Sequence, residues 1–269
     1  PDMAHARGIL LRCRFELDLY VNFRPVRLIH EKLCPVKNKR PEDVDFVVFR
    51  ENTEGPYVGA GGFLKKNTPD EVAIQESIHT RKGVERIIRA AFEYARLHDL
   101  PRVTMSDKAN VLRYGHDLWQ RVFEEVGRAY PDIEKEHFYI DALAMEMIRQ
   151  PEHFHVIVTE NMLGDIVTDL GAILQGGLGM AASGNINPEG ISLFEPVHGS
   201  APPIAGKNLA NPIAAILTAA MMLDHLGMEA EAERIELAVK QAVLENQVTE
   251  DLGGTLGTRE VGDFIASRL

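Results

Sequence analysis

Apolar residues recur along this chain with two alternating periods, close to four and close to two, and each change of period marks a change of element. Val84, Ile87, Ile88, Ala91 and Ala95 fall on one side of a helix that Gly83 opens and that stops before Pro101. Further amphipathic stretches predict helices around Leu118 to Val126 and from Glu229 to Asn246. Leu163, Val167, Leu170 and Leu174 do the same within the stretch Asn161 to Gly179. After Asn211-Pro212 the run IAAILTAAMML is apolar on most sides, which predicts a helix in a core or a subunit interface. Short apolar or β-branched runs at Asp45–Phe49, Val103–Met105, Tyr139–Ile140 and His155–Thr159 read as strands. Val72, Ile74 and Ile78 alternate, as an extended arm would. Pro25 and Pro35 break the N-terminal part into extended pieces. Strands interleaved with helices make the fold class α/β.

Composition narrows the class of partner. The chain has 269 residues, 45% of them hydrophobic and 26% charged, which suits a globular protein of one large or two ordinary domains. A formal net charge of −11 argues against a nucleic-acid binder, which needs a basic surface. No apolar run is as long as a membrane span, and two cysteines cannot build a disulfide framework. The expected setting is the reducing cytoplasm and the expected partner a small molecule.

Candidate chemistry collects at a few places. Asp165 and Asp169 are one helical turn apart, so a helix presents both carboxylates on one face, close behind the strand ending at Thr159. Two such groups repel unless a cation lies between them, and hard oxygen ligands suit magnesium or manganese; taken alone, the pair reads rather as a helix with two solvated aspartates. Arg12, Arg14, Arg24 and Arg27 crowd the N-terminal region, and guanidinium forks grip carboxylates, although a solvated basic face has the same composition. Lys108 sits at a strand end. Asp141 begins a helix, where a simple N-cap would also be acidic. The loop from Phe194 to Pro202 is rich in proline and small residues and exposes backbone N–H groups. Neither a G-x-G-x-x-G turn nor a P-loop occurs.

The stretches ELDLYVNFRP, RENTEGPY, DKANVL, DALAM, NMLGDIVTDLGA, GLGMAASGN, FEPVHGSAP and NPIAAILTAAMML, in this order, resemble the β-decarboxylating dehydrogenase (isocitrate/isopropylmalate dehydrogenase) family, with the nearest likeness to its isopropylmalate branch. The resemblance runs from Gly8 to Leu269. It implies a three-layer α/β fold of two intertwined domains, with 1–19 and 176–269 on the cofactor side and 20–175 carrying the arm and dimer contacts. It implies NAD as cofactor, NADP not being excluded, and Mg2+ or Mn2+. It further implies a homodimer whose active site is shared between subunits. Arg14, Arg24 and Arg50 match the arginines that hold the substrate carboxylates, and Leu10 and Leu11 the apolar pair against an isopropyl group. Tyr57 matches the proton donor and Lys108 the general base supplied across the dimer. Asp141 (from the partner subunit), Asp165 and Asp169 match the metal ligands. Asn110, Glu195, His198, Gly199, Ser200, Ala201 and Asn211 match positions around the cofactor. The implied activity is oxidative decarboxylation of 3-isopropylmalate in leucine biosynthesis. Tartrate, D-malate, isocitrate or homoisocitrate are the alternatives within the family, and a non-catalytic truncated paralogue or regulatory subunit is the alternative outside catalysis.

The chain also departs from the pattern. Family members carry a strand and glycine-rich turn upstream of the arginine segment, to which nothing here corresponds, so the sheet is expected to lack that region. Pro203 stands where NAD-dependent members often carry a ribose-binding aspartate. Ala6 and Arg7 stand near the position of a glutamate common in isopropylmalate enzymes, while Leu10-Leu11 still favour an apolar substituent over a third carboxylate.

Overall fold

The computed structural model describes residues 7–269, so Ala6 falls outside it. A seven-stranded mixed sheet forms its centre. In chain order the strands are β1 (Val21–Arg27), β2 (Asp45–Glu51), β5 (Arg102–Asp107), β6 (Glu134–Tyr139), β7 (Val156–Thr159), β8 (Ala182–Ile186) and β9 (Leu193–Pro196), arranged in space as β6-β5-β7-β2-β1-β8-β9. β6, β5, β7 and β2 run parallel, whereas β1, β8 and β9 are each antiparallel to their neighbours. Strands β3 (Gly61–Leu64) and β4 (Val72–Gln75) form a separate antiparallel hairpin.

The alternation of apolar side chains along β2 produces two cores. Phe46 and Val48 face one way, toward α4 (Ile140–Arg149), α5 (Asn161–Leu174) and α7 (Glu229–Leu244), through Leu143, Met147, Val167 and Val239. Val47 and Phe49 face the other, toward α2 (Arg81–Leu97) and α3 (Arg113–Gly127), through Ile87, Ile88, Trp119 and Phe123. This is the three-layer architecture that parallel strands with helical crossovers produce, each face of the sheet being covered by helices. Strands β1 and β8 pair directly, so one sheet runs through residues of both expected domains.

Several local expectations needed correction. Pro25 does not interrupt its segment but lies inside β1, opposite Val47. β8 pairs only with Val21 to Phe23, so beyond that point β1 has a free edge and a missing N–H costs nothing there. Ahead of β1, Arg7–Leu11 form a widened helical turn that runs into α1 (Arg12–Glu16), where an extended piece was expected. The helix expected from Gly83 begins at Arg81, because Thr80 caps it by accepting from Gly83 N–H. The apolar run after Pro212 forms α6 (Ile213–His225), which in the single chain is buried only along Ile213, Ala214, Thr218 and Ala220. Its other side, at Met221 and His225, borders a groove of about 970 Å³ shared with Phe23, Phe49 and Tyr94. The last helix, α8, spans Thr258–Ala266. No helix among the described residues is long and apolar enough to cross a membrane.

Candidate active site

The sheet brings the carboxyl ends of β2, β5, β6 and β7 to one edge, where open α/β sheets bind ligands. Arg50 is the penultimate residue of β2, and α5 starts just after β7. The N-terminus of α5 is tied down by Glu160, whose carboxylate accepts from Met162 and Leu163 N–H, and the Asn161 amide donates to Glu54 O at 2.9 Å. Asn161, Asp165 and Thr168 then rise along one face of the helix.

Three guanidinium groups converge there. Arg50 is 1% exposed; its Nε and Nη2 donate to Asn161 Oδ1 at 3.0 and 2.8 Å, and its Nη1 pairs with Asp165. Arg24, from β1, reaches Asp165 Oδ1 at 3.4 Å and donates to Thr168 Oγ1. Arg14, from α1, donates to Glu195 Oε1 at 3.3 Å. Burial lowers the Arg24 pKa to about 10, with the neighbouring Arg50 charge adding to it, and lowers Arg14 as well. The Nε atoms of Arg14 and Arg24 are buried and have no hydrogen-bond partner among the described residues. A pocket that confines this much positive charge is one that an incoming polyanion would stabilise.

Tyr57 lies in a turn (Pro56–Val58) at the root of the β3–β4 hairpin, under the Arg50 guanidinium, and its hydroxyl donates to Asp165 Oδ2 at 2.9 Å. Burial and the Asp165 charge hold the phenol above its ordinary pKa, so it stays protonated. The two aspartates of α5 are split. Burial pushes Asp165 up, but Arg50, Arg24, Tyr57 and Arg14 outweigh it and leave it below the usual value. Burial and the Asp165 charge raise Asp169. The Asp165 charge thus disfavours ionisation of Asp169, and a cation between the two would relieve that cost.

Lys108 and Asp141 form a second group. Lys108 follows β5 and Asp141 lies in the first turn of α4, after the neighbouring strand β6, so parallel pairing sets them side by side with Lys108 Nζ 2.5 Å from Asp141 Oδ1. Asp141 is not the cap of its helix; that position is Tyr139. No three acidic, histidine or cysteine side chains gather tightly enough to hold a metal among the described residues of one chain. The single chain thus unites Asp165, Asp169, Tyr57 and the arginines but leaves Lys108 and Asp141 as a separate pair.

The remaining expected residues are scattered. Leu10 and Leu11 are half-buried in the turn before α1, beside exposed Ile9. Asn110 is exposed in the turn after Lys108. His198, Gly199, Ser200 and Ala201 line one cavity of about 410 Å³, together with Asn208 and Arg259. Glu195 lies away from them, on the Arg14 side, and also accepts from Asn185 at 2.9 Å. Asn211, just ahead of α6, accepts from Ile213 N–H and donates to Asp251. Sequence reasoning did not single out Asn161 or Thr168, although their three- and four-residue spacing to Asp165 would have placed them on its face. It also missed the buried amides of Asn22 and Asn52, both of which donate to Asn185 Oδ1, and Asn185, which in turn donates to Glu195. Only the sheet brings those together.

The sequence profile of the isocitrate/isopropylmalate dehydrogenase family matches residues 2–265. The chain belongs to that family. As an isocitrate/isopropylmalate dehydrogenase family member it is a decarboxylating dehydrogenase. It is 50% identical over 271 residues to the 3-isopropylmalate dehydrogenase of Thermobifida fusca, covering 100% of this chain and 76% of that one. With the 3-isopropylmalate dehydrogenase of Corynebacterium efficiens it shares 49% over 269 residues, covering 99% and 77%. The solved isocitrate dehydrogenase of Methylococcus capsulatus superposes with a TM-score of 0.90 at 42% identity, over 97% of this chain and 76% of that one.

Proposed function

We propose that this family member oxidatively decarboxylates 3-isopropylmalate, with NAD as oxidant and Mg2+ or Mn2+ as the assisting ion, in a homodimer that completes the site. The observation that carries the reading is the convergence of Arg14, Arg24 and Arg50, all at most 5% exposed, around Asp165 and Tyr57. The guanidinium groups bind the two substrate carboxylates and fix the orientation of the carbon between them. Leu10 and Leu11 face an isopropyl group more favourably than a third carboxylate, which they could not solvate.

Asp165 and Asp169, with Asp141 from the second subunit, offer the all-oxygen donor set that a hard divalent cation prefers. When bound, that ion lowers the pKa of the substrate hydroxyl and stabilises negative charge on its oxygen. The cavity along His198 to Ala201 would hold NAD, which would supply the acceptor for the hydride leaving C2. Lys108 removes the hydroxyl proton. Loss of CO2 from the resulting β-keto acid leaves an enolate, and Tyr57, held protonated, delivers a proton to its carbon. Glu195, Asn110 and Asn211 belong to the cofactor side of this reading. So does the division into a cofactor-side domain, 1–19 and 176–269, and a substrate and dimer domain, 20–175.

The dimer is supported by the hairpin. Phe63, Leu64, Val72 and Ile74 are all exposed in the single chain, a two-sided apolar arm with nothing of its own to cover. The test is NADH formation with a panel of 2-hydroxy diacids, with and without Mg2+. Preference for 3-isopropylmalate supports the reading; turnover confined to isocitrate, tartrate or D-malate would move the substrate, and no turnover with any of them would overturn it.

A further inference from the structure

The Lys108 turn is held by a set of hydrogen bonds, and one of its partners comes from outside the turn. Ala109 N–H donates to Asp107 Oδ1 at 2.9 Å, and Val111 and Leu112 N–H donate to Lys108 O at 2.9 and 2.8 Å. The Lys108 N–H itself donates to His116 Nδ1, at 2.7 Å. His116 is 1% exposed, on α3, and burial holds it neutral by lowering its pKa. Its ring meets that of His79 edge to face, with centroids 5.5 Å apart. His79 accepts at Nδ1 from the Trp119 indole N–H, at 3.2 Å, and its Nε2 lies 2.8 Å from Ser77 Oγ.

The partners settle the chemistry of both rings. A backbone N–H and an indole N–H are pure donors, so each Nδ1 must be unprotonated and each ring must carry its hydrogen on Nε2. Neither histidine is free to act as an acid or base without breaking the contact that orders it. The packing is close as well: a Cβ on Gly115 would stand 2.6 Å from His79 Cδ2. His79 also belongs to the root of the arm, because Gly55 N–H donates to Ile78 O at 2.8 Å and Ile78 N–H returns to Gly55 O at 3.4 Å. Gly55 is two residues from Tyr57. A continuous set of contacts therefore joins the turn of Lys108, through His116 and His79, to the turn of Tyr57.

We propose that His116, backed by His79, is a positioning residue that sets the height and direction of the Lys108 turn and locks it to the arm root that carries Tyr57. The inference rests on reading Lys108 as the base of the proposed reaction. Tyr57 and Lys108 then form a fixed frame within each chain, although each serves a different step and each can serve a different active site of a dimer.

The test compares His116→Leu, His116→Asn, Gly115→Ala, Lys108→Ala and the double variant Lys108→Ala with His116→Leu, all as full chains with circular dichroism and sedimentation recorded. Displacing the turn by about 1 Å should lower kcat by about tenfold to a hundredfold in His116→Leu, with KM for the diacid and the Kd for NAD within about threefold of the parent. Asparagine presents an acceptor close to the position of Nδ1 and should restore most of kcat. In the Lys108→Ala background, His116→Leu should add little, because it acts through the lysine. Parental kcat in a folded His116→Leu chain, equal losses for leucine and asparagine, or losses that multiply in the double variant would each overturn the proposal. Should His116→Leu fail to fold, Gly115→Ala decides, since it displaces His79 while leaving the acceptor in place: a kcat loss at unchanged KM supports the proposal and an unchanged kcat overturns it. If Lys108→Ala alone turns over at the parental rate, the base assignment falls and this inference with it, an outcome distinct from all the others.

Discussion

In the proposed reaction Arg50 grips a substrate carboxylate, and replacing Gly164 by alanine isolates that one requirement. Gly164 lies on α5 between Asn161 and Asp165, the two residues that hold the Arg50 guanidinium. A Cβ at Gly164 would stand 2.6 Å from Arg50 Cγ and 2.8 Å from its Cβ. Those atoms are the stem of a side chain that is 1% exposed, so the stem must swing or the helix must move outward. Overpacking of this kind costs about 1–3 kcal/mol, while alanine in a helix interior recovers about 1 kcal/mol relative to glycine. The fold should therefore lose no more than about 2 kcal/mol, a fall in Tm of several degrees. Binding is affected more. Pulling the guanidinium off a carboxylate forfeits a charged hydrogen-bond pair worth about 1.5–3 kcal/mol, which is about a tenfold to hundredfold rise in KM for the diacid. Gly171→Ala is the control on the same helix. Its Cβ would stand 2.7 Å from Val26 Cγ2, in the core and away from the arginines. Initial rates against diacid concentration, with Tm by scanning calorimetry, separate the two effects. Equal KM values for Gly164→Ala and Gly171→Ala, in folded protein, would refute the claim that Arg50 grips the substrate from this position.

Other consequences follow from the same geometry. Asp169→Asn should relieve the repulsion with Asp165, so that without metal its Tm is no lower than the parent's, and it should bind Mn2+ more than about 100-fold more weakly by electron paramagnetic resonance titration; unchanged Mn2+ affinity removes Asp169 from the ligand set. Phe63→Asp together with Ile74→Asp should convert a dimer to a folded monomer in sedimentation velocity and abolish turnover; an active dimer would show that the arm is not the clasp. The His79 pKa is lowered to about 4 by burial and by His116, against an ordinary 6.5. The unfolded chain therefore takes up a proton that the fold refuses, so stability is constant above about pH 6.5 and falls as pH drops toward 4. After allowance for solvent screening the loss is about 1–2 kcal/mol. It should be absent in His79→Gln, read as the difference between the Tm–pH curves of the two proteins, and parallel curves would show that His79 is not the group refused.

Legibility followed range. The helices and strands were visible because side chains one turn or two residues apart share a face, and that face meets either water or a core. Asp165 and Asp169 were paired by the same local rule, and Asp141 was found at its strand-to-helix junction. The exposed arm was foreseen from the alternation of Val72, Ile74 and Ile78. Function entered by a different route: the isolated motifs each had an ordinary structural explanation, and only their order along the chain pointed to the family.

What the sequence determined by itself is the set of local elements and the residue types that each presents. What only the tertiary structure decided is which of them meet. Arg50 and Asn161 are 111 positions apart, Tyr57 and Asp165 are 108 apart, and Asn22 and Asn185 are 163 apart. Their contacts depend on the strand order and on the pairing register, where a slip of one residue would turn every side chain to the opposite face. The same holds for Pro25, harmless only because β8 stops short of it, and for α6, apolar on most sides yet covered on one. Local pattern settles what a segment can become, because its energy is summed over near neighbours; the site is settled by long-range closure of the sheet, whose cost and reward are shared across the whole core.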